Sequence, residues 1–203
     1  ALKGGMCLRL FHRSARMSQD ADYDVGKEVG VGTLRHAVDS ILLSRALGAQ
    51  LSVRGVTGIH SVRPKQTETT QRWKVKLELG RARELAAKIE FSRRRGSGGW
   101  ARGTPDADLL ARHGMMPFAV QYYDSVSMAA QKVAALAAAR RFAVRDLFDL
   151  HHLFQVLKVE PETVGGRVEK GEVGGALGKV ESFSYKDFRA DVVPFLTGSL
   201  MDL

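Results

Sequence analysis

The sequence predicts an α+β fold, with a mixed sheet and its helices over residues 1–123 and a helical part over residues 124–203. Two observations predict it. Residues 72–79 alternate, with Trp73, Val75, Leu77 and Leu79 on one face, and residues 18–25 and 88–92 make further short extended runs. Residues 125–140 and 144–157 instead repeat apolar groups at helical spacing, the second with Leu147, Leu150, Phe154 and Leu157 as its inward stripe. These two helices are expected to pack as an antiparallel pair across a short connection.

Taken in order, a Gly4-Gly5 pair precedes a short helix over residues 6–12, and residues 18–25 follow as a strand bearing acids. Thr33 is placed to cap a second helix carrying Leu34, Ala37, Val38, Ile41, Leu42 and Leu47, with Gly48 placed to end it. Alternation over residues 50–59, 72–79 and 88–92 predicts neighbouring strands of one sheet. Residues 93–104 combine Arg93, Arg94 and Arg95 with a Gly-Ser-Gly-Gly run and read as a mobile basic loop, where a domain boundary would fit. Residues 117–123 make one more short strand. The tail beyond Glu160 is glycine-interrupted until residues 185–196, and no internal repeat is visible.

An apolar fraction of 44% and five prolines in 203 residues are ordinary for a folded protein and exclude the disordered and fibrous classes. The formal charge of +9, with a pI near 9.9, attracts phosphate-rich partners, although charge alone does not say which. Cys7 is the single cysteine, which excludes an internal disulfide framework and fits a reducing compartment; a thiol in a short apolar stretch reads as a core residue. No run approaches the roughly 20 apolar residues of a membrane span, and the start lacks the layout of a secretory signal, so a cytoplasmic protein without a membrane partner is expected. The chain opens without methionine, and an incomplete N-terminal edge is expected.

The strongest local feature is Ser18-Gln19-Asp20-Ala21-Asp22. Side chains two apart on a strand share a face, which brings Asp20 and Asp22 within reach of one cation. Magnesium takes hard oxygen ligands of this kind, few from the protein and the rest from water and substrate phosphates. An Asp-x-Asp is also commonly a solvated strand face, and Asp24 on the same parity illustrates that alternative. The upstream Gly4-Gly5 pair adds a second element, because glycines ahead of a helix let backbone N–H groups approach a phosphate; a plain turn is the alternative. In a two-metal site the cations clamp attacking and leaving oxygens, which requires a further acid. Glu90 is the candidate and Glu78 its rival.

Lys132, in an alanine-rich helix, is either a solvent-facing charge or a point charge for a triphosphate. Asp146 either complements the dipole of its helix or orients Lys132 or the acceptor. His151 and His152 adjoin on a helix and point in different directions, so no joint metal site is expected of them. The run Arg93, Arg94, Arg95 reads equally as a guide for a nucleic-acid backbone and as a solvated loop.

Five segments then fall into one pattern: Leu2-Lys3-Gly4-Gly5-Met6-Cys7-Leu8-Arg9, Arg16-Met17-Ser18-Gln19-Asp20-Ala21-Asp22-Tyr23, Lys88-Ile89-Glu90-Phe91-Ser92, Gln131-Lys132 and Arg145-Asp146-Leu147-Phe148-Asp149-Leu150. In this order they resemble the motifs of the AbiEii/AbiGii toxin family, the nucleotidyltransferase toxins of type IV toxin–antitoxin and abortive-infection systems, which include the MenT group of mycobacteria. The resemblance spans residues 2–157.

The resemblance implies a polymerase-beta-like nucleotidyltransferase domain over residues 1–123 and a helical C-terminal domain over 124–203. It implies Mg2+ in a two-metal site held by Asp20, Asp22 and Glu90, with Gly4, Gly5 and Ser18 near the phosphates. Lys132 matches the triphosphate-binding lysine and Asp146 the late essential aspartate. It also implies a nucleoside triphosphate as substrate, transfer RNA or another RNA as acceptor, and a cognate antitoxin encoded nearby. The chain departs from the family in having Met6 where Gly-Gly-Thr is usual, which removes a hydroxyl, and in having Glu90 where Asp is usual. Two other readings stand beside the toxin: a catalytically inactive, basic nucleic-acid-binding protein on the same scaffold, and an enzyme that nucleotidylates a protein or small molecule.

Overall fold

Extended and helical segments are interleaved in the α+β manner, and the computed structural model describes them over residues 1–80, 83–93 and 99–197. In chain order they are β1 (Leu2–Lys3), α1 (Gly4–Phe11), β2 (Asp20–Asp24), α2 (Val31–Leu42) and α3 (Arg45–Ser52). Next come β3 (Val56–Gln66), β4 (Thr70–Leu79), β5 (Arg83–Ser92) and β6 (Trp100–Gly103). The rest are α4 (Ala107–Arg112), β7 (Val120–Tyr123), α5 (Ser125–Ala137), α6 (Val144–His151), α7 (Pro161–Gly165), α8 (Lys170–Val180) and α9 (Tyr185–Asp191). They form two compact units, one of Gln19–Arg95 and one of Ala1–Ser18 with Gly96–Leu203.

In the Gln19–Arg95 unit the strands lie in the order β3-β4-β5-β2, antiparallel except for β2, which runs parallel to β5. The alternation of β4 gives this sheet two chemically different faces. Trp73 and Val75 are buried on one face with Leu34, Val38 and Leu42, which recur every fourth residue along α2 and so form a single stripe. The indole of Trp73 donates to Asp39 Oδ1 at 2.8 Å, which satisfies its buried N–H. The other face is polar, and register sets it out in rows: Arg72, Glu90 and Asp22 in one, Lys74, Lys88 and Asp20 in the next.

In the other unit β1 lies parallel to β7, with Leu2 opposite Tyr122, and β6 pairs antiparallel with β7. α5 buries Met128, Ala129, Val133 and Leu136 and packs against α6, α7 and α8. Val144, Val192 and Leu196 are buried together with Phe148, Phe183, Phe188 and Val193 around them.

Several boundaries differ from the sequence reading, each for a local reason. Thr33 lies inside α2, whose N-cap is Gly30 with no side-chain bond, and Gly48 does not end that helix. α2 stops at Leu42, and Ser44, whose Oγ accepts from the Leu47 N–H at 3.2 Å, opens α3 around Gly48. The strand read over residues 50–59 therefore starts only at Val56. The basic loop contains β6, and Arg94 and Arg95 lie outside the described residues. The helix read over residues 144–157 is α6 followed by a π-helical turn, His152–Val156. α8 was not legible among Gly171, Gly174, Gly175 and Gly178. It is held by a capping box between Glu169 and Glu172 and by packing on α5, where Gly175 lets it approach Ala137. No described helix is long and apolar enough to cross a membrane.

Candidate active site

β2 and β5 build an acidic cluster. Asp20 and Asp22 share a face of β2, and the parallel register sets Glu90 opposite Asp22 and Lys88 opposite Asp20. The Lys88 ammonium lies 3.1 Å from Asp20 Oδ2, 3.4 Å from Asp22 Oδ1 and 4.0 Å from Glu90 Oε2. From the other side Arg72 Nε donates to Glu90 Oε2 at 2.6 Å. Burial pushes the Asp22 carboxyl above its ordinary pKa, and the Asp20 and Glu90 charges add to this while Lys88 opposes it. Burial also works against the charge on Lys88, but Asp22, Asp20 and Glu90 outweigh it and hold its pKa above the ordinary value. The rival Glu78 lies opposite Glu84, at the far end of β4 from Arg72, about 20 Å away at roughly 3.3 Å per residue. It faces His60 at 3.0 Å instead.

The donors of this cluster are hard, anionic oxygens of the kind magnesium takes, and three carboxylates against Lys88 and Arg72 leave negative charge uncompensated. That chemistry fits a divalent cation. Among the described residues no three His, Cys, Asp or Glu side chains form a ready-made metal centre; here the carboxylates are joined through an ammonium.

The second unit holds a buried ionic network. Lys132 of α5 is 7% exposed, so it is not a solvent-facing charge. Its Nζ lies 2.7 Å from Asp146 Oδ1 and 2.6 Å from Asp149 Oδ2, both on α6 and both wholly buried. Arg16 grips Asp149 with two bonds, Nε to Oδ1 at 2.9 Å and Nη2 to Oδ2 at 2.7 Å. Arg141 Nε reaches Asp146 Oδ2 at 2.5 Å. Burial raises the Asp146 pKa, but Lys132 and Arg141 outweigh it and leave it below the ordinary value. An ammonium has three N–H groups, and two carboxylates leave one of them for a further acceptor.

The glycine pair belongs to the start of α1 and does not merely precede it. Gly4 has φ +69°, which a side chain resists, and a Cβ on Gly5 would lie 2.7 Å from Arg16 Nη2 and 2.9 Å from Ser18 Oγ. No side chain caps α1, so its first N–H groups point outward from a helix N-terminus.

Of the sequence-predicted residues, the structure brings Asp20, Asp22 and Glu90 together in one unit, and Lys132 with Asp146, and Gly5 with Ser18, in the other. Sequence patterning gives no role to Lys88, Arg72, Arg16, Arg141 or Asp149, although Arg16, Lys88 and Asp149 stand within the quoted segments. Two of them also carry a spacing signal: Lys88 is two residues before Glu90 on a strand, and Asp149 is three after Asp146 on a helix, so each shares a face with a chosen residue. His152 is buried with its Nε2 2.6 Å from the His12 carbonyl and is engaged in packing. Burial pushes the Cys7 thiol up to about 12, which keeps it protonated and inert.

Comparison with known proteins bears on the family and the fold. A family model described as nucleotidyl transferase AbiEii toxin, type IV TA system, matches residues 1–176. Among solved structures the chain is similar in fold to MenT4, a nucleotidyltransferase toxin from Mycobacterium tuberculosis H37Rv, with a TM-score of 0.63 and 18% identity over 98% of this chain and 69% of that one. A protein of H. pylori described as a nucleotidyltransferase aligns over 90% of this chain and 86% of its own at 16% identity, with a TM-score of 0.41 that is too low to bear on function. No curated protein matches the chain.

Proposed function

Because the chain belongs to the family of AbiEii nucleotidyltransferase toxins of type IV toxin–antitoxin systems, we propose that it transfers a nucleotide from a nucleoside triphosphate to RNA, transfer RNA first, in a magnesium-dependent reaction in the cytoplasm. Family membership gives it a nucleotide substrate and an antitoxin partner; that the antitoxin is encoded nearby is part of the proposal. The observation that carries the reading is the face shared by Asp20, Asp22 and Glu90 across β2 and β5, because phosphoryl-transfer chemistry needs clustered carboxylates from separate elements.

Asp20, Asp22 and Glu90 are the residues that would hold Mg2+, which when bound neutralises charge on the attacking and leaving oxygens. Lys132 gives its remaining N–H to the triphosphate, with its ammonium aimed by Asp146 and Asp149. Gly4 and Gly5 offer backbone N–H groups to the phosphates and Ser18 a hydroxyl. Arg16, held by Asp149, keeps the Gly5 turn and Ser18 in register with Lys132. Residues 1–123 are assigned to the nucleotidyltransferase core and 124–203 to the helical part that supplies Lys132 and Asp146. The overall charge of +9 suits a polyanionic acceptor.

The test is incubation of the purified chain with magnesium, total transfer RNA and each labelled nucleoside triphosphate in turn, beside Asp20→Ala. Label on RNA in the wild type, reduced at least about 100-fold in the variant, is expected. Label that moves instead to protein or a small molecule overturns the RNA acceptor, and label on RNA that survives Asp20→Ala overturns the site.

A further inference from the structure

We propose that Lys88 is a built-in counter-cation, which holds Asp20, Asp22 and Glu90 together in the metal-free protein and must be displaced before a divalent cation binds. The inference rests on the reading of these acids as metal ligands. A surface lysine usually pairs with one carboxylate and swings freely between water and its partner. Lys88 is different: one Nζ lies within 4.0 Å of three separate carboxylates, on a side chain only 28% exposed. Backbone register aims it there. Lys88 sits opposite Asp20 and two residues before Glu90, so its Cβ leaves β5 on the face that carries all three acids.

The ammonium sits on Asp20 Oδ2, Asp22 Oδ1 and Glu90 Oε2, and a metal held by Asp20, Asp22 and Glu90 would draw on the same carboxylates. Two cations cannot occupy one focus, so binding of one expels the other. Without either, three carboxylates on adjacent strands would repel one another more strongly. Lys88 therefore has opposite effects on two measurable quantities: it stabilises the empty site and it weakens metal binding. A residue with a merely structural role would stabilise the fold without antagonising the metal.

The experiment is a Mn2+ titration of the full chain, followed by the loss of the free-ion electron paramagnetic resonance signal, for wild type, Lys88→Met, Lys88→Gln and Asp20→Asn, with Tm measured in each case with and without Mn2+. Lys88→Met is expected to bind Mn2+ about tenfold more tightly than wild type or better, and to gain more Tm from the ion. Lys88→Gln, which keeps length and a donor without charge, gives the same comparison if the methionine variant does not fold. Equal or weaker binding by the Lys88 variants, with binding still lost in Asp20→Asn, overturns the proposal and leaves the metal-ligand reading standing. Mn2+ binding that is absent throughout, or indifferent to Asp20→Asn, overturns both.

Discussion

Asp146 is 0% exposed and still ionised, because Lys132 and Arg141 outweigh the cost of burying its charge. The consequence for stability has a definite sign. Its folded pKa lies below its unfolded one, so the carboxylate contributes stability above the unfolded value, and that contribution is lost as pH falls through the folded value. Wild type should therefore lose stability steeply below about pH 4. Asp146→Asn, with no proton to take up, should be less stable at neutral pH and flatter in acid. Urea unfolding at pH 7 and pH 3 checks this, and an acid limb equally steep in the variant would sink it. Charged residues of this kind are where the sequence is least legible. Lys132, Arg16, Asp149 and Lys88 have the hydropathy of surface groups, and it is partners on other elements that bury or engage them: Lys132 on α5 meets Asp146 on α6, and Arg16 and Asp149 are separated by 133 positions.

At the scale of elements, α1 begins where two constraints meet: the positive φ of Gly4, and the close approach of Gly5 to a guanidinium that Asp149 pins. Gly5→Ala should therefore destabilise the fold by about 1–3 kcal/mol through overpacking. Part of that cost should vanish once Arg16 is released, because the clash is with a long side chain held in place from its far end. A double-mutant cycle of Gly5→Ala with Asp149→Asn should give a coupling of about 0.5–3 kcal/mol. Additive costs in chemical denaturation would show that Arg16 is not the obstacle. The elements themselves were largely readable where apolar period was strong, as in β4 and α2, where Trp73, Val75, Leu34, Val38 and Leu42 are buried, although Ala37 and Ile41 of the expected α2 stripe are exposed. Ends were less so: Thr33, a capable cap, lies inside α2, which starts from Gly30, and Ser44 caps a further helix where one continuous helix was expected. The pairing of β2 with β5 was the decisive step for the acidic cluster, and register between strands nearly 70 residues apart is set by the finished sheet rather than by either segment.

For the whole molecule, a charge of +9 coexists with an acidic cluster, so a polyanionic partner and a divalent cation would draw on different parts of the same field. Binding of RNA to the whole surface should depend on salt as counterion release dictates, with a slope near 0.7 per phosphate contacted on single strands. Four such contacts would weaken binding about 50-fold between roughly 50 and 200 mM salt. Asp20→Ala should leave that slope unchanged, because it alters chemistry at the carboxylates and removes no basic contact. Substitution of the exposed bases Lys74, in the row of Lys88, and Lys76, in the next row, should lower it if the acceptor strand passes along that face of the sheet. Fluorescence anisotropy of labelled transfer RNA across a salt series separates the two. A slope near zero in wild type would mean that the positive charge serves something other than RNA, and would move the acceptor to a protein or small molecule while leaving the nucleotide chemistry in place.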